Sequence, residues 1–192
     1  MGTRSLRTFI AVEVSSEVRG RARQLIGRLQ ETGAKVTWVK PEALHLTLKF
    51  LGDVDLIDVP SVCQAVQEAV ADLPPFEFQV HGAGAFPSVA RPRTIWLGVG
   101  AGDEELVGLH GAVERAVSGL GFRHENRRFR PHLTLGRVRG DRELGELGRL
   151  ITANAEFTGG VTSIDDVVVF SSELESDGPI HEPLAIAPLN GR

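Results

Sequence analysis

The chain has 192 residues, one cysteine and a net charge of −4. It is long enough to bury a core without covalent staples, cannot close an internal disulfide, and lacks the basic excess of a general nucleic-acid-coating protein. The short basic stretch Met1 to Arg7 leads into an apolar run, Phe9 to Val12, that Glu13 interrupts well short of a signal core or membrane span, so a cytoplasmic protein with no membrane partner is expected.

In chain order, Arg7 to Val14 read as a largely buried strand. Ser15-Ser16-Glu17 then caps an amphipathic helix to about Glu31, with Val18, Ala22, Leu25 and Leu29 as its inner stripe and Gly33 as its stop. A short strand at Val36 to Val39, a turn at Pro41, a strand from Leu44 to Leu51 and a helix from about Pro60 to Ala71 follow. The second half repeats the plan: strands at Phe76 to Ala83 and Thr94 to Val99, a helix from about Asp103 to Ser118, and a strand from His132 to Val138. A helix near Arg142 to Thr152 and strands at Glu156 to Val161, Ile164 to Phe170 and Ile180 to Ile186 complete the chain. Pro74-Pro75 is the preferred boundary between two lobes of one domain, with the last strands free to cross back.

The most informative feature is a duplicated tetrapeptide. His-Leu-Thr-Leu occurs at His45 to Leu48 and again at His132 to Leu135, in a chain with six histidines. Side chains alternate between the faces of a strand, so His45, Thr47 and Lys49 are expected on one face and Leu46, Leu48 and Phe50 on the other. The same alternation groups Arg130, His132 and Thr134 against Leu133 and Leu135. Two strands, apolar behind and polar in front, can face one cleft.

Two imidazoles suit a reaction in which one proton leaves a nucleophile and another reaches a leaving group, because imidazole titrates near neutral pH. A threonine hydroxyl two residues on can bond a phosphoryl oxygen, and an arginine offers a forked set of donors to the same anion. Six arginines (Arg123, Arg127, Arg128, Arg130, Arg137 and Arg139) surround the second motif against a single acid, Glu125. Phosphate-bearing ligands are drawn to such a patch. No His-Glu-x-x-His, cysteine pair or carboxylate cluster flanks either motif, so no metal is expected, although His181 stands as a distant potential ligand. His81, His110 and His124 read as surface or packing residues.

On these motifs the sequence resembles the two-histidine phosphoesterase superfamily, and within it the RNA 2′,3′-cyclic phosphodiesterase (2′-5′ RNA ligase) branch. The strings Phe9 to Val12, His45 to Gly52, Arg91 to Leu97, Phe129 to Arg137, Phe170 to Leu174 and Gly178 to Ile180 carry the resemblance across the whole chain. It implies an α+β, bilobal duplicated fold: two antiparallel sheets with outer helices and a central cleft. It also implies metal-independent hydrolysis of RNA 2′,3′-cyclic phosphate ends to 2′-phosphomonoesters with no nucleotide cofactor, and reversible 2′-5′ ligation in some members. RNA with such an end, tRNA fragments among them, is the implied partner, and a monomer is expected.

Carried over residue by residue, His45 is the implied acid and His132 the base, with Thr47 and Thr134 as phosphate-holding hydroxyls. The family's phosphate-binding arginine falls on Arg137, which has the wrong parity for a straight strand unless a bulge at Gly136 turns it forward. Arg130 has the right parity and is the second candidate. Where many members carry a tyrosine near the end, this chain has His181 and no tyrosine anywhere. Phe50 or Trp38 could stack on a base, but both read better as core. Two other readings remain open: a phosphodiesterase for small cyclic nucleotides or sugar cyclic phosphates, and a non-catalytic RNA-binding module.

Overall fold

Apolar periodicity builds most elements where the sequence places them. A computed structural model describes residues 4–175 and 178–192; the first three residues of the basic N-terminal stretch lie outside them. Strand β1 (Ser5–Glu13) is followed by helix α1 (Ser16–Gln30), whose N-cap Ser15 accepts a hydrogen bond from the Val18 amide, and by the short β2 (Val36–Trp38). Val18, Ala22, Leu25 and Leu29 of α1 are all buried, joined by Ile26. A 3₁₀ turn at Pro41–Ala43 leads into β3 (His45–Asp55), then α2 (Val59–Val70), β4 (Phe76–Ser88), β5 (Arg91–Val99), α3 (Asp103–Gly119) and β6 (Leu133–Val138). Helix α4 (Leu144–Ala153) and strands β7 (Thr158–Ile164), β8 (Asp166–Glu175) and β9 (Gly178–Pro188) end the chain.

Several boundaries differ from expectation, among them the ends of β4 at Ser88 and β8 at Glu175, each five residues beyond the expected stop. The first motif strand runs four residues further, to Asp55, because it stays paired with β1 as far as Ser5. The expected break between the two following late strands, at Thr162-Ser163, lies instead at Asp165. Both polar residues pair with β4, Thr162 with Phe78 and Ser163 with Glu77, and their hydroxyls are bonded as well: Thr162 accepts from the Ser15 amide at 3.1 Å and Ser163 donates to Glu77 at 2.9 Å.

The strands lie in the order β7-β4-β5-β6-β3-β1-β8-β9, all antiparallel, with β2 alongside β6. This order is symmetric about the β6/β3 seam: each half has a motif strand innermost, and the halves meet through a single residue pair, Leu46 with Leu133. The two expected sheets are thus two halves of one continuous, antiparallel sheet. The halves do not divide at Pro74-Pro75. Strands β8 and β9 return to the first motif's half, and α1, although it follows β1, packs on β7 with α4 against β4 and β5, while α2 and α3 back β3, β8 and β9. Apolar side chains from both halves form one core behind the sheet, including Ile10, Leu46, Leu48, Leu97, Leu133 and Leu135. No helix among the described residues is long and apolar enough to cross a membrane.

Candidate active site

The opposite face of the two motif strands opens on a cleft of about 600 Å³, lined by His45, Thr47, His132 and Thr134, together with Arg137 and other residues from β1, β2 and β9. The seam explains this convergence. With Leu46 paired to Leu133 on the core side, antiparallel geometry sets His45 opposite Thr134 and Thr47 opposite His132, all on the cleft side. The two histidines are diagonal neighbours across the seam, a relation that spans roughly 7–8 Å in a regular ladder.

Each imidazole is held in the same manner. His45 Nδ1 lies 2.8 Å from the Ala43 carbonyl and His132 Nδ1 lies 2.7 Å from the Arg130 carbonyl, in both cases two residues upstream. A carbonyl only accepts, so Nδ1 carries the proton and Nε2 of the neutral ring keeps its lone pair. Phenylalanine rings hold both imidazoles laterally: Phe9 at 4.9 Å from His45 and Phe86 at 5.1 Å from His132. Burial holds His45 down at about 4, against the raising effect of the Ala43 bond; His181 lowers it further and the Glu13 carboxylate raises it. Burial also lowers His132, again against its carbonyl bond, with Arg137 adding to the lowering. Both rings are therefore neutral in the empty cleft at neutral pH.

Beyond each threonine the strand bulges. Thr134 pairs with Trp96 and Gly136 with the next residue back, Ile95, leaving Leu135 as the extra residue. Arg137 thereby turns into the cleft, where it bonds the Thr94 hydroxyl at 3.5 Å. Gly136 permits a close approach as well: a Cβ there would lie 2.7 Å from Val36 and 2.8 Å from Trp38, the residues that bring β2 against β6.

An equivalent bulge interrupts β3, where Thr47 pairs with Ala11 and Lys49 with Ile10, leaving Leu48 extra. This overturns the straight-strand expectation for the next two residues. Lys49 faces away from the cleft, 5% exposed, and bonds Glu114 of α3 at 2.9 Å and the Arg123 carbonyl at 2.9 Å. Phe50 turns into the cleft, 52% exposed, with its ring 5.5 Å from Phe9. Phe50 is thus a wall of the cleft and not core; Trp38, half-buried, both packs on the core and lines the cleft.

The buried Lys49–Glu114 pair ties the arginine-rich loop to the first motif strand. Glu114 accepts from the Glu125 amide at 2.8 Å and lies 3.0 Å from His124 Nδ1. Desolvation alone would raise its pKa, but the Lys49 and Glu125 bonds outweigh that and hold it below the usual carboxylate range. His110 stacks on Phe129 at 4.0 Å and His81 approaches Glu156 at 3.6 Å, so neither they nor His124 belong to the cleft.

The arginine patch divides. Arg137 and Arg139 line the cleft, whereas the side chain of Arg130 is exposed on the loop before β6 and is not a lining residue. Parity mispredicts Arg130 because His132 precedes the first residue of β6 and the loop before it is not extended strand. Arg130 contributes its carbonyl instead. Arg7, Lys40 and His181 enter the cleft from β1, the segment after β2 and β9, and only the tertiary arrangement gathers them. Among the described residues, no group of three His, Cys, Asp or Glu side chains is placed to hold a metal ion.

The sequence pattern of the 2′-5′ RNA ligase superfamily matches residues 14–173. The chain is 36% identical over 179 residues to the RNA 2′,3′-cyclic phosphodiesterase of Thermotoga maritima, covering 93% of each. It is 34% identical over 181 residues to the protein of the same name from Methanothermobacter thermautotrophicus, covering 94% of this chain and 97% of the relative. Its fold is similar to that of TT0787 from Thermus thermophilus, with TM-score 0.81, 24% identity, and 97% and 100% of the two chains covered. It is also similar to E. coli LigT complexed with 3′-AMP, with TM-score 0.77, 22% identity, and 97% and 99% covered.

Proposed function

This chain belongs to the 2′-5′ RNA ligase superfamily, and on that premise we propose that it hydrolyses 2′,3′-cyclic phosphate ends of RNA to 2′-phosphomonoesters by metal-independent acid-base chemistry. The observation that carries the reading is the pair of imidazoles from opposite halves of the sheet, each with Nδ1 on a carbonyl and Nε2 free for the cleft. The relatives' names, RNA 2′,3′-cyclic phosphodiesterase, support the substrate.

With the phosphorus between the two rings, His132 Nε2 takes a proton from water as its oxygen bonds to phosphorus. The bond from phosphorus to the 3′ oxygen breaks, and His45, which has taken up a proton at Nε2 as the phosphodiester anion binds, delivers that proton to the leaving oxygen. Thr47, Thr134 and Arg137 hold the non-bridging oxygens, where negative charge concentrates. This division of labour is the one the family resemblance implies. Arg137 disfavours a proton on His132, whereas at His45 burial and His181 oppose the raising effects of the Ala43 bond and Glu13 and hold the ring at about 4, so His45 gains its proton only with the arriving phosphodiester anion.

Four cations, Arg7, Lys40, Arg137 and Arg139, line the cleft, more than one phosphate requires, which supports a polymeric substrate with further phosphates upstream. RNA fragments, those of tRNA among them, fit this reading, as do a cytoplasmic location and a monomeric state. The direct test offers an oligonucleotide ending in 2′,3′-cyclic phosphate. A 2′-phosphate product, formed equally well with EDTA, is expected; a 3′-phosphate product or no turnover would overturn the assignment. A Michaelis constant insensitive to salt would instead point to a small cyclic phosphate as substrate, and binding without turnover to an RNA-binding module.

A further inference from the structure

The cleft contains a third imidazole with the opposite hydrogen-bonding polarity. His181 comes from β9, three strands from β3 on the side away from His132. Its ring stands edge-on to His45 at 5.4 Å and to Phe9 at 4.8 Å. Its Nδ1 is buried and has no hydrogen-bond partner among the described residues. An imidazolium would bury an unpaired N–H at that atom, and so would the Nδ1–H tautomer. The form that avoids both is the neutral ring with its proton on Nε2. Burial of the ring acts in the same direction, lowering its pKa. His45 and His132 thus present lone pairs to the cleft, and His181 presents an N–H.

We propose that His181 is a substrate-binding residue for the nucleoside of the terminal nucleotide, its Nε2–H donating to an acceptor on the base or ribose beside the aromatic wall of Phe9 and Phe50. The inference rests on the phosphodiesterase reading for the position of the phosphorus. Between His45 and His132, the phosphate has Thr47, Thr134 and Arg137 for its oxygens. His181 lies beyond His45, on the side of the ester oxygen that leaves. What is attached to that oxygen is the ribose, so an uncharged donor at this position meets the nucleoside and not the phosphoryl group.

Two measurements test this without relying on turnover. Long-range ¹⁵N–¹H spectra of the full chain near neutral pH report the tautomer of each ring: Nε2–H is expected for His181 against Nδ1–H for His45 and His132. A protonated or Nδ1–H His181 would overturn the proposal. Titration with adenosine 2′-monophosphate and, separately, inorganic phosphate then locates the contact. His181→Phe keeps an aromatic ring on Phe9 but removes the donor, and should weaken nucleotide binding by roughly five- to tenfold, the worth of one hydrogen bond, with phosphate binding unchanged. His181→Gln, which retains a donor, should recover part of the loss. Equal losses for both ligands, or no loss for either, would refute a nucleoside contact. If nucleotide binding behaves as expected but cyclic-ended RNA is not hydrolysed, the phosphodiesterase reading fails and the subsite stands.

Discussion

The two motif strands share a backbone plan and differ in what that plan carries. In each, histidine bonds the carbonyl two residues upstream, a phenylalanine ring packs beside the imidazole, threonine follows on the cleft face, and a leucine bulge then reverses parity. The fifth residue after histidine consequently faces the cleft in both. It is Phe50 in one half and Arg137 in the other. The residue before it faces the core: Lys49, paired with Glu114, in one half and Gly136, covered by Trp38, in the other. A duplicated scaffold can therefore hold two imidazoles symmetrically while giving one wall of the cleft an aromatic surface and the other a guanidinium.

If the symmetric part is the chemical core, His45→Ala and His132→Ala should each reduce kcat by at least about 10²- to 10⁴-fold, the usual worth of one proton transfer, with RNA binding retained. A large loss from only one variant, measured in single-turnover assays, would break the equivalence of the halves.

The asymmetric back of the bulges should appear next, as stability. Glu114→Gln leaves the Lys49 ammonium buried beside a neutral amide, and removing one partner of a buried pair typically costs about 3–5 kcal/mol. Denaturant titration should show that loss, and the double variant Lys49→Met with Glu114→Leu should recover most of it. A single variant as stable as the parent would show that the pair does not hold the loop.

At the divergent fifth position the two halves should respond differently. Arg137→Ala removes a charged donor to the phosphoryl oxygens and should lower kcat by roughly 10²-fold. Phe50→Ala should mainly raise the KM for RNA, by the ~1–3 kcal/mol of one base–aromatic contact. Similar kcat and KM changes in the two variants would refute the separation into a phosphate wall and a nucleoside wall.

The smallest effect expected is a shift in pH dependence. Burial places His45 at about 4 and His132 below its ordinary value of 6.5 in the free protein. Because kcat/KM reports the free enzyme, its optimum should lie below pH 6.5 and fall as pH rises beyond it. The kcat optimum should lie higher, since a bound phosphodiester anion raises both groups. Both histidines bind protons more readily unfolded, so the stability from keeping them neutral is present above pH 6.5 and is lost as pH falls towards 4. An unshifted kcat/KM optimum at or above 7 would show that the empty cleft does not hold these rings neutral.

Much of the site is legible in the sequence because its signal is local and repeated. His45, Thr47, His132 and Thr134 follow from the tetrapeptide and a period of two. The bulge that brings Arg137 forward is inferred at Gly136, one residue from the extra Leu135. The bulge in β3 was equally available from the repeat, but without a glycine at the corresponding position Lys49 and Phe50 are assigned to the wrong faces. Arg130 fails for a related reason: alternation holds only inside a strand, and His132 is where β6 is about to begin.

By itself the sequence determined the duplication, the identity of the two imidazoles and hydroxyls, the helices and the antiparallel α+β class, since each is encoded in short-range periodicity, caps and repeats. Only the tertiary structure decided that the two sheets fuse through Leu46 and Leu133, that α1 packs on the second half, that Phe50 faces the cleft, and that His181 stands beside His45. Those outcomes depend on bulges that reverse parity and on strands returning from the far end of the chain, and a local pattern contains no information about which distant backbone will supply the partner.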